Sequence, residues 1–188
     1  MWSILMPTML VVANVMGVGM IVPQVVRFHR HRTVEGVSSA WLGVGIAMNA
    51  WWTAYALSGQ LWGLLPVSSC AFVLYSVMSV QYVRIAGPVA VRPIARTFAY
   101  RMPDGGRTAL VVAIVPSVFL LVGGWTAAGL AVGFAYAVQF TPAAVSALRG
   151  SDLRGVSAAT WTMALVEAVI WCAYGIVEGS PALVVGGF

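Results

Sequence analysis

The chain has 188 residues, 61% of them hydrophobic and only 8% charged, with a net charge of +5, whereas a soluble domain carries roughly 25% charged residues. This composition excludes a water-soluble globular domain and points to an integral membrane protein. The positive charge does not point to nucleic acid, because all ten basic residues are arginines confined to three connections between apolar blocks, where membrane topology accounts for them.

The apolar blocks run for about 20 residues, the length at which a helix rising 1.5 Å per residue crosses a hydrocarbon core of roughly 30 Å. Strands of a membrane barrel would instead alternate polar and apolar residues over about 10 positions. Spans are predicted over 4–26, 37–57, 61–82, 108–124, 125–148 and 156–177, with a seventh that begins at Pro181 and stops. The first block has no basic leader and no small-residue cleavage site, so it reads as a retained helix rather than a signal peptide. The joints carry turn residues, Ser58-Gly59-Gln60 and Gly123-Gly124, apart from the long linker 84–107. The glycine pair also fits a single helix broken at that point.

Arg27, Arg30 and Arg32 follow the first span, Arg84, Arg92, Arg96, Arg101 and Arg107 the third, and Arg149 and Arg154 the fifth. Every basic residue thus follows an odd-numbered span, which puts those loops in the cytoplasm and the N-terminus outside. The expected location is the plasma (inner) membrane. Cys70 and Cys172 lie inside apolar blocks with no metal-ligand pattern, so they read as packing residues. No metal and no cofactor are expected, and an enzyme is the least favoured class.

Shifted by 119 residues, the chain matches itself. Between 22–57 and 141–176, ten of 36 positions are identical without a gap, among them Pro23/Pro142, Gly36-Val37-Ser38/Gly155-Val156-Ser157 and Trp52-x-x-Tyr55/Trp171-x-x-Tyr174. This is an internal duplication. The shift carries span one onto span five, an even number of crossings, so the copies are parallel repeats. The expected fold is all-α: a polytopic membrane protein of six to seven transmembrane helices. It divides into a first three-helix repeat (1–83), a cytoplasmic linker (84–107), a linker transmembrane helix (108–124) and a second repeat with a shortened last helix (125–188).

Pro23 and Pro142 each remove one helical hydrogen bond near a cytoplasmic end. They are candidate gating kinks, or static kinks that neighbouring helices tolerate. Gln24 is placed to bond a carbonyl that Pro23 frees. Trp52 and Trp171, each with a tyrosine at i+3 on the same face (Tyr55, Tyr174), either form an aromatic belt or clamp the apolar face of a sugar ring. Asn49 and Glu167 supply a polar companion to each tryptophan. Glu167 stands mid-span, where an acid costs on the order of 2.5–3.5 kcal/mol and faces a bundle interior or wet cavity. The chain has no lysine and its arginines are all in connections, so this acid is either protonated, bonded to a neighbour such as Gln139, or meets a proton or a cationic group of the substrate.

The Pro23-Gln24 pair, the arginine-rich turn into Gly36-Val37-Ser38, and Trp52-x-x-Tyr55 resemble the PQ-loop family, which includes the SWEET and SemiSWEET sugar transporters. The resemblance implies two three-helix bundles around a central path for a small solute, typically a sugar, with alternating access. It also implies that Ser68 or Ser69 stands where sugar-carrying relatives place an asparagine. Three features depart from the family pattern: that serine in place of asparagine, Pro142 followed by Ala143 rather than glutamine, and a last helix cut to "SPALVVGGF".

The expected substrate-binding residues are therefore Asn49, Trp52, Tyr55, Ser68, Ser69, Glu167, Trp171 and Tyr174, with Pro23, Gln24 and Pro142 as gating residues. The leading function is a facilitative carrier of a mono- or disaccharide. The alternatives are a proton-coupled carrier of an amino acid or cationic solute using Glu167, and a non-transporting assembly factor or receptor. The partners are the bilayer and the solute. A homo-oligomer is expected as well, because a bundle short of one helix would leave Glu167 turned toward lipid.

Overall fold

An apolar chain in lipid must satisfy its backbone amides within itself, and helices do this along their own length. The structure, a computed structural model, describes residues 2–32, 34, 37–86, 104–149 and 158–187, and for 2, 3, 104, 137–149 and 158–161 the backbone alone. Its described elements are all helices: α1 (Trp2–His31), α2 (Ser39–Ser58), α3 (Leu65–Ala86), α4 (Asp104–Arg149), α5 (Ala158–Val177) and α6 (Pro181–Gly186).

Among the described residues three helical stretches are long and apolar enough to cross a membrane, Ile4–His31, Leu65–Ala86 and Gly105–Tyr136, with a shorter apolar stretch at Thr162–Val177. Their outward faces carry large exposed apolar side chains such as Ile4, Val11, Val15, Leu121 and Val122, a surface suited to lipid rather than water. The chain reads as an integral membrane protein.

Hydropathy alone ends the first block at Val26, but α1 continues through Arg27 and Arg30 to His31. Arginine prolongs a helix well, and its long side chain carries the charge out to the headgroups while the backbone stays helical. Both Pro7 and Pro23 lie inside α1. Pro23 withholds the amide that would bond the Gly19 carbonyl, and the helix continues through it.

α4 is interrupted at its glycine pair, where Gly123 has φ −132°, ψ 15° and Gly124 has φ 67°, ψ −162°. The second of these is a region essentially restricted to glycine. Val112 and Tyr136 flank the break and pack against one buried cluster, although a continuous helix would hold residues 24 positions apart at about 36 Å. The break therefore folds the second limb of α4 back beside the first.

The helices close a ring. α1 packs against α3, α3 against α2, α2 against α4, α4 against α6, α6 against α5, and α5 against α1. The larger core cluster, with Met48, Trp52, Tyr55, Leu61, Leu64, Val132, Tyr174 and Leu183, draws on α2, the α2–α3 turn, α4, α5 and α6. A second cluster, Phe28, Leu42 and Met78, joins α1, α2 and α3 at the end where α1 and α3 terminate. The short α6 buries Ala182 and Leu183, so the expected remnant helix is a packed part of the ring.

Candidate functional site

The axis of the ring holds a cavity of about 60 Å³, lined by Asn49 and Trp52 from α2, Val67 and Ser68 from α3, Tyr136 from α4, Glu167 and Trp171 from α5, and Leu64, Leu183 and Gly186 around them. By the order of helix contacts, α2 and α5 stand across the ring from each other. Trp52 and Trp171, 119 positions apart in sequence, thus enter one cavity from opposite sides. Each indole is set edge-on to the tyrosine one turn later, with ring centroids 5.9 Å apart at 79° for Trp52–Tyr55 and 6.1 Å at 68° for Trp171–Tyr174.

The polar groups of the cavity are mostly committed as donors. Trp171 donates its indole N–H to Glu167 Oε1 at 3.1 Å. Ser68 donates to the Leu64 carbonyl at 3.1 Å, and Asn49 Nδ2 donates to the Gly45 carbonyl at 2.8 Å. What these groups still offer is acceptor capacity (hydroxyl lone pairs, an amide oxygen and a carboxyl group), together with the second N–H of Asn49 and the indole N–H of Trp52 as donors. Chemically, the cavity joins hydrogen-bonding groups of both kinds to two aromatic faces.

Glu167 is half-buried in this cavity, and α1 makes room for it with Gly17. A Cβ at Gly17 would lie 2.6 Å from Glu167 Oε1 and 2.7 Å from a Val67 methyl, closer than side-chain atoms pack. Glu167 is not turned out to lipid, since α1 backs it and α6 helps to line the same cavity.

The chain matches no family model, no curated protein and no solved structure.

Of the expected binding residues, Asn49, Trp52, Ser68, Glu167 and Trp171 come together at the cavity, and three others do not line it. Ser69 turns away, bonding back to the Leu65 carbonyl at 2.6 Å, because its neighbour Ser68 takes the inward position on α3. Tyr55 and Tyr174 are buried, but their hydroxyls reach past the cavity. Tyr55 Oη shares a 3.0 Å hydrogen bond with Ser180 Oγ in the turn before α6. Tyr174 Oη accepts the Gly63 amide N–H at 3.2 Å in the turn before α3. Each tyrosine is thus tied to the turn that follows the helix bearing the other. Asn14 adds to this end of the ring, donating from α1 to the Gly63 carbonyl at 2.9 Å.

Among the expected gating residues, Pro23 is exposed on α1. Gln24 corrects an expectation: its amide nitrogen is buried without a hydrogen-bond partner, so it does not donate to a carbonyl freed by Pro23. A side chain one residue past a helical proline projects about 100° around the helix from it and does not double back over the preceding turn. Pro142 lies in α4 with only its backbone described, and its side chain, that of Gln139 and the motif residues Gly36 and Gly155-Val156-Ser157 lie outside the described residues.

Sequence reasoning missed Tyr136, Leu183 and Gly186. The 119-residue register carries Gly17 onto Tyr136 and Met48 onto Glu167, so the one acid in the cavity sits beside the position where the first copy is smallest. That compensation was readable from the repeat, but only once the two helices were known to touch.

Proposed function

We propose that the chain is a facilitative membrane transporter that carries a small hydroxyl-rich solute, a mono- or disaccharide, by alternating access through the central cavity, on a scaffold of the PQ-loop, SWEET-like kind. The observation that carries this reading is the pair of tryptophans from the two W-x-x-Y motifs lining one cavity beside the polar groups of Asn49, Ser68 and Glu167. Aromatic faces cover the apolar side of a sugar ring, and acceptors take its hydroxyls. The contact order α1–α3–α2, then α4–α6–α5, supports two three-helix units with the third helix of each between the other two, and the first limb of α4 serves as the added crossing. In this arrangement the N-terminus lies outside and the arginine-rich connections face the cytoplasm of a plasma (inner) membrane.

A cavity of about 60 Å³ holds roughly four to six waters at about 10–15 Å³ each and falls below the ~300 Å³ at which small-molecule pockets begin. A carrier would widen it on opening, and alternating access requires such a change.

The test is counterflow of labelled hexoses and disaccharides in liposomes containing the purified chain. Uptake is expected for at least one of these sugars, reduced by about fivefold or more in Trp52→Ala/Trp171→Ala, since stacking on an aromatic face is worth on the order of 0.5–1.5 kcal/mol for each ring. Absence of uptake for every sugar by a folded, inserted protein would overturn the reading.

Glu167 favours a second reading, a proton-coupled carrier of an amino acid or other cationic solute, because a carboxylate shares the cavity with the indoles while no arginine lines it. In that case Glu167→Gln abolishes the pH dependence of transport. Transport with an unchanged pH profile in Glu167→Gln would remove this reading and leave the sugar carrier standing.

A further inference from the structure

Away from the central cavity, the end at which α1 and α3 terminate carries two adjoining hollows of opposite character. The first, about 150 Å³, lies between α1 and α3 and is lined by Phe28, His29, Arg32, Gln81, Arg84 and Ile85. Two arginines and a histidine, all exposed, border this one space, and among the described residues no carboxylate lines it. Arg32 is held at φ 50°, a backbone conformation that few non-glycine residues adopt, just past the last turn of α1. Gln81 contributes a buried side-chain oxygen without a hydrogen-bond partner.

The second hollow is a larger, open groove of about 400 Å³ between α2, α3 and the first turn of α4, walled by Leu42, Ile46, Val80, Tyr82 and Val83. Its walls are almost wholly apolar, and Val80 and Val83 are open to the surroundings. Arg84 lines both hollows, so the basic space and the apolar groove meet at one side chain.

We propose that this pair of hollows is a binding site for an anionic phospholipid, its headgroup phosphate held by Arg32 and Arg84 in the basic hollow and an acyl chain lying in the groove along Val80 and Val83. A free phosphate would satisfy the arginines but leave the groove without a role. A zwitterionic lipid would fill the groove but bring its own cation to a space that already holds two. Only a molecule with a net-negative head and a long apolar tail matches both halves. Basic pockets between membrane helices at the cytoplasmic side bind such headgroups, and arginine's planar fork suits a phosphate. The assignment does not depend on what the central cavity carries.

The site is tested on the full chain by lipid retention in native mass spectrometry and by titration with nanodiscs of phosphatidylglycerol or phosphatidylcholine. Phosphatidylglycerol is expected to be retained in preference to phosphatidylcholine. Its affinity should fall roughly thirtyfold in Arg32→Gln/Arg84→Gln, from about 1 kcal/mol for each arginine near the headgroups. Arg27→Gln/Arg30→Gln removes equal charge from exposed positions on α1 that do not line the hollow, and is expected to change affinity much less. Val80→Trp, which fills the groove and keeps both arginines, should weaken lipid binding with the charge unchanged. Equal retention of the two lipids, an equal loss in the Arg27/Arg30 pair, or displacement of phosphatidylglycerol by equimolar inorganic phosphate would each overturn the proposal.

Discussion

The two tyrosines of the W-x-x-Y motifs show how a residue can be singled out correctly by spacing and still be given the wrong contacts. Spacing of i+3 places Tyr55 and Tyr174 on the face of their tryptophans, and they lie there, buried and edge-on to the indoles. The length of a tyrosine then takes its hydroxyl beyond the cavity to a turn on another part of the chain, which pattern along one helix does not reveal. The two bonds differ in what their loss leaves behind. In Tyr55→Phe the buried Ser180 hydroxyl loses its partner but keeps its freedom to rotate, so a loss of about 1 kcal/mol is expected. In Tyr174→Phe the half-buried Gly63 amide is left with no acceptor, and the expected loss is larger, about 1–3 kcal/mol. Denaturant unfolding of the two variants in detergent checks the order. The same limit explains Ser68 and Ser69: a resemblance points to either, and only packing of α3 against its neighbours selects Ser68.

At the scale of elements, punctuation was more legible than extent. The glycine pair at 123–124 marks a joint in the sequence, and the chain breaks there because Gly124 adopts φ 67°, ψ −162°, which a side chain disfavours. Gly124→Ala is expected to cost about 1–3 kcal/mol through backbone strain, and Gly123→Ala, although at φ −132°, is expected to destabilise as well because its Cβ would lie 2.7 Å from the Ala127 Cβ. Thermal unfolding followed by circular dichroism measures both. The far end of α1 was not legible from hydropathy, because helicity outlasts the apolar run once arginines can extend to the headgroups. α6 was underestimated for a related reason. Six residues are too few to cross a bilayer, yet they are enough to place Leu183 and Gly186 on the cavity when α4 and α5 receive them.

For the whole molecule, the sequence shows membrane character in its composition and a duplication in its register, and from these the candidate tryptophans could be paired before any helix was placed. It does not show which helix lies beside which. The ring order α1–α3–α2–α4–α6–α5 is set by side-chain fit between segments far apart in sequence. The position of Gly17 against Glu167 follows from that order alone. A polar residue in mid-span therefore flags a site, whereas the space that tolerates it becomes visible only in the assembled ring.

The crossed tyrosine bonds have a thermodynamic consequence. Because each half of the ring holds the turn of the other, separating the halves would break both bonds together, so their losses are expected to be non-additive when Tyr55→Phe and Tyr174→Phe are combined. At about 1 kcal/mol each, the two bonds together favour the joined form by roughly thirtyfold, in addition to the buried cluster that Trp52, Tyr55, Tyr174 and Leu183 form at the same end.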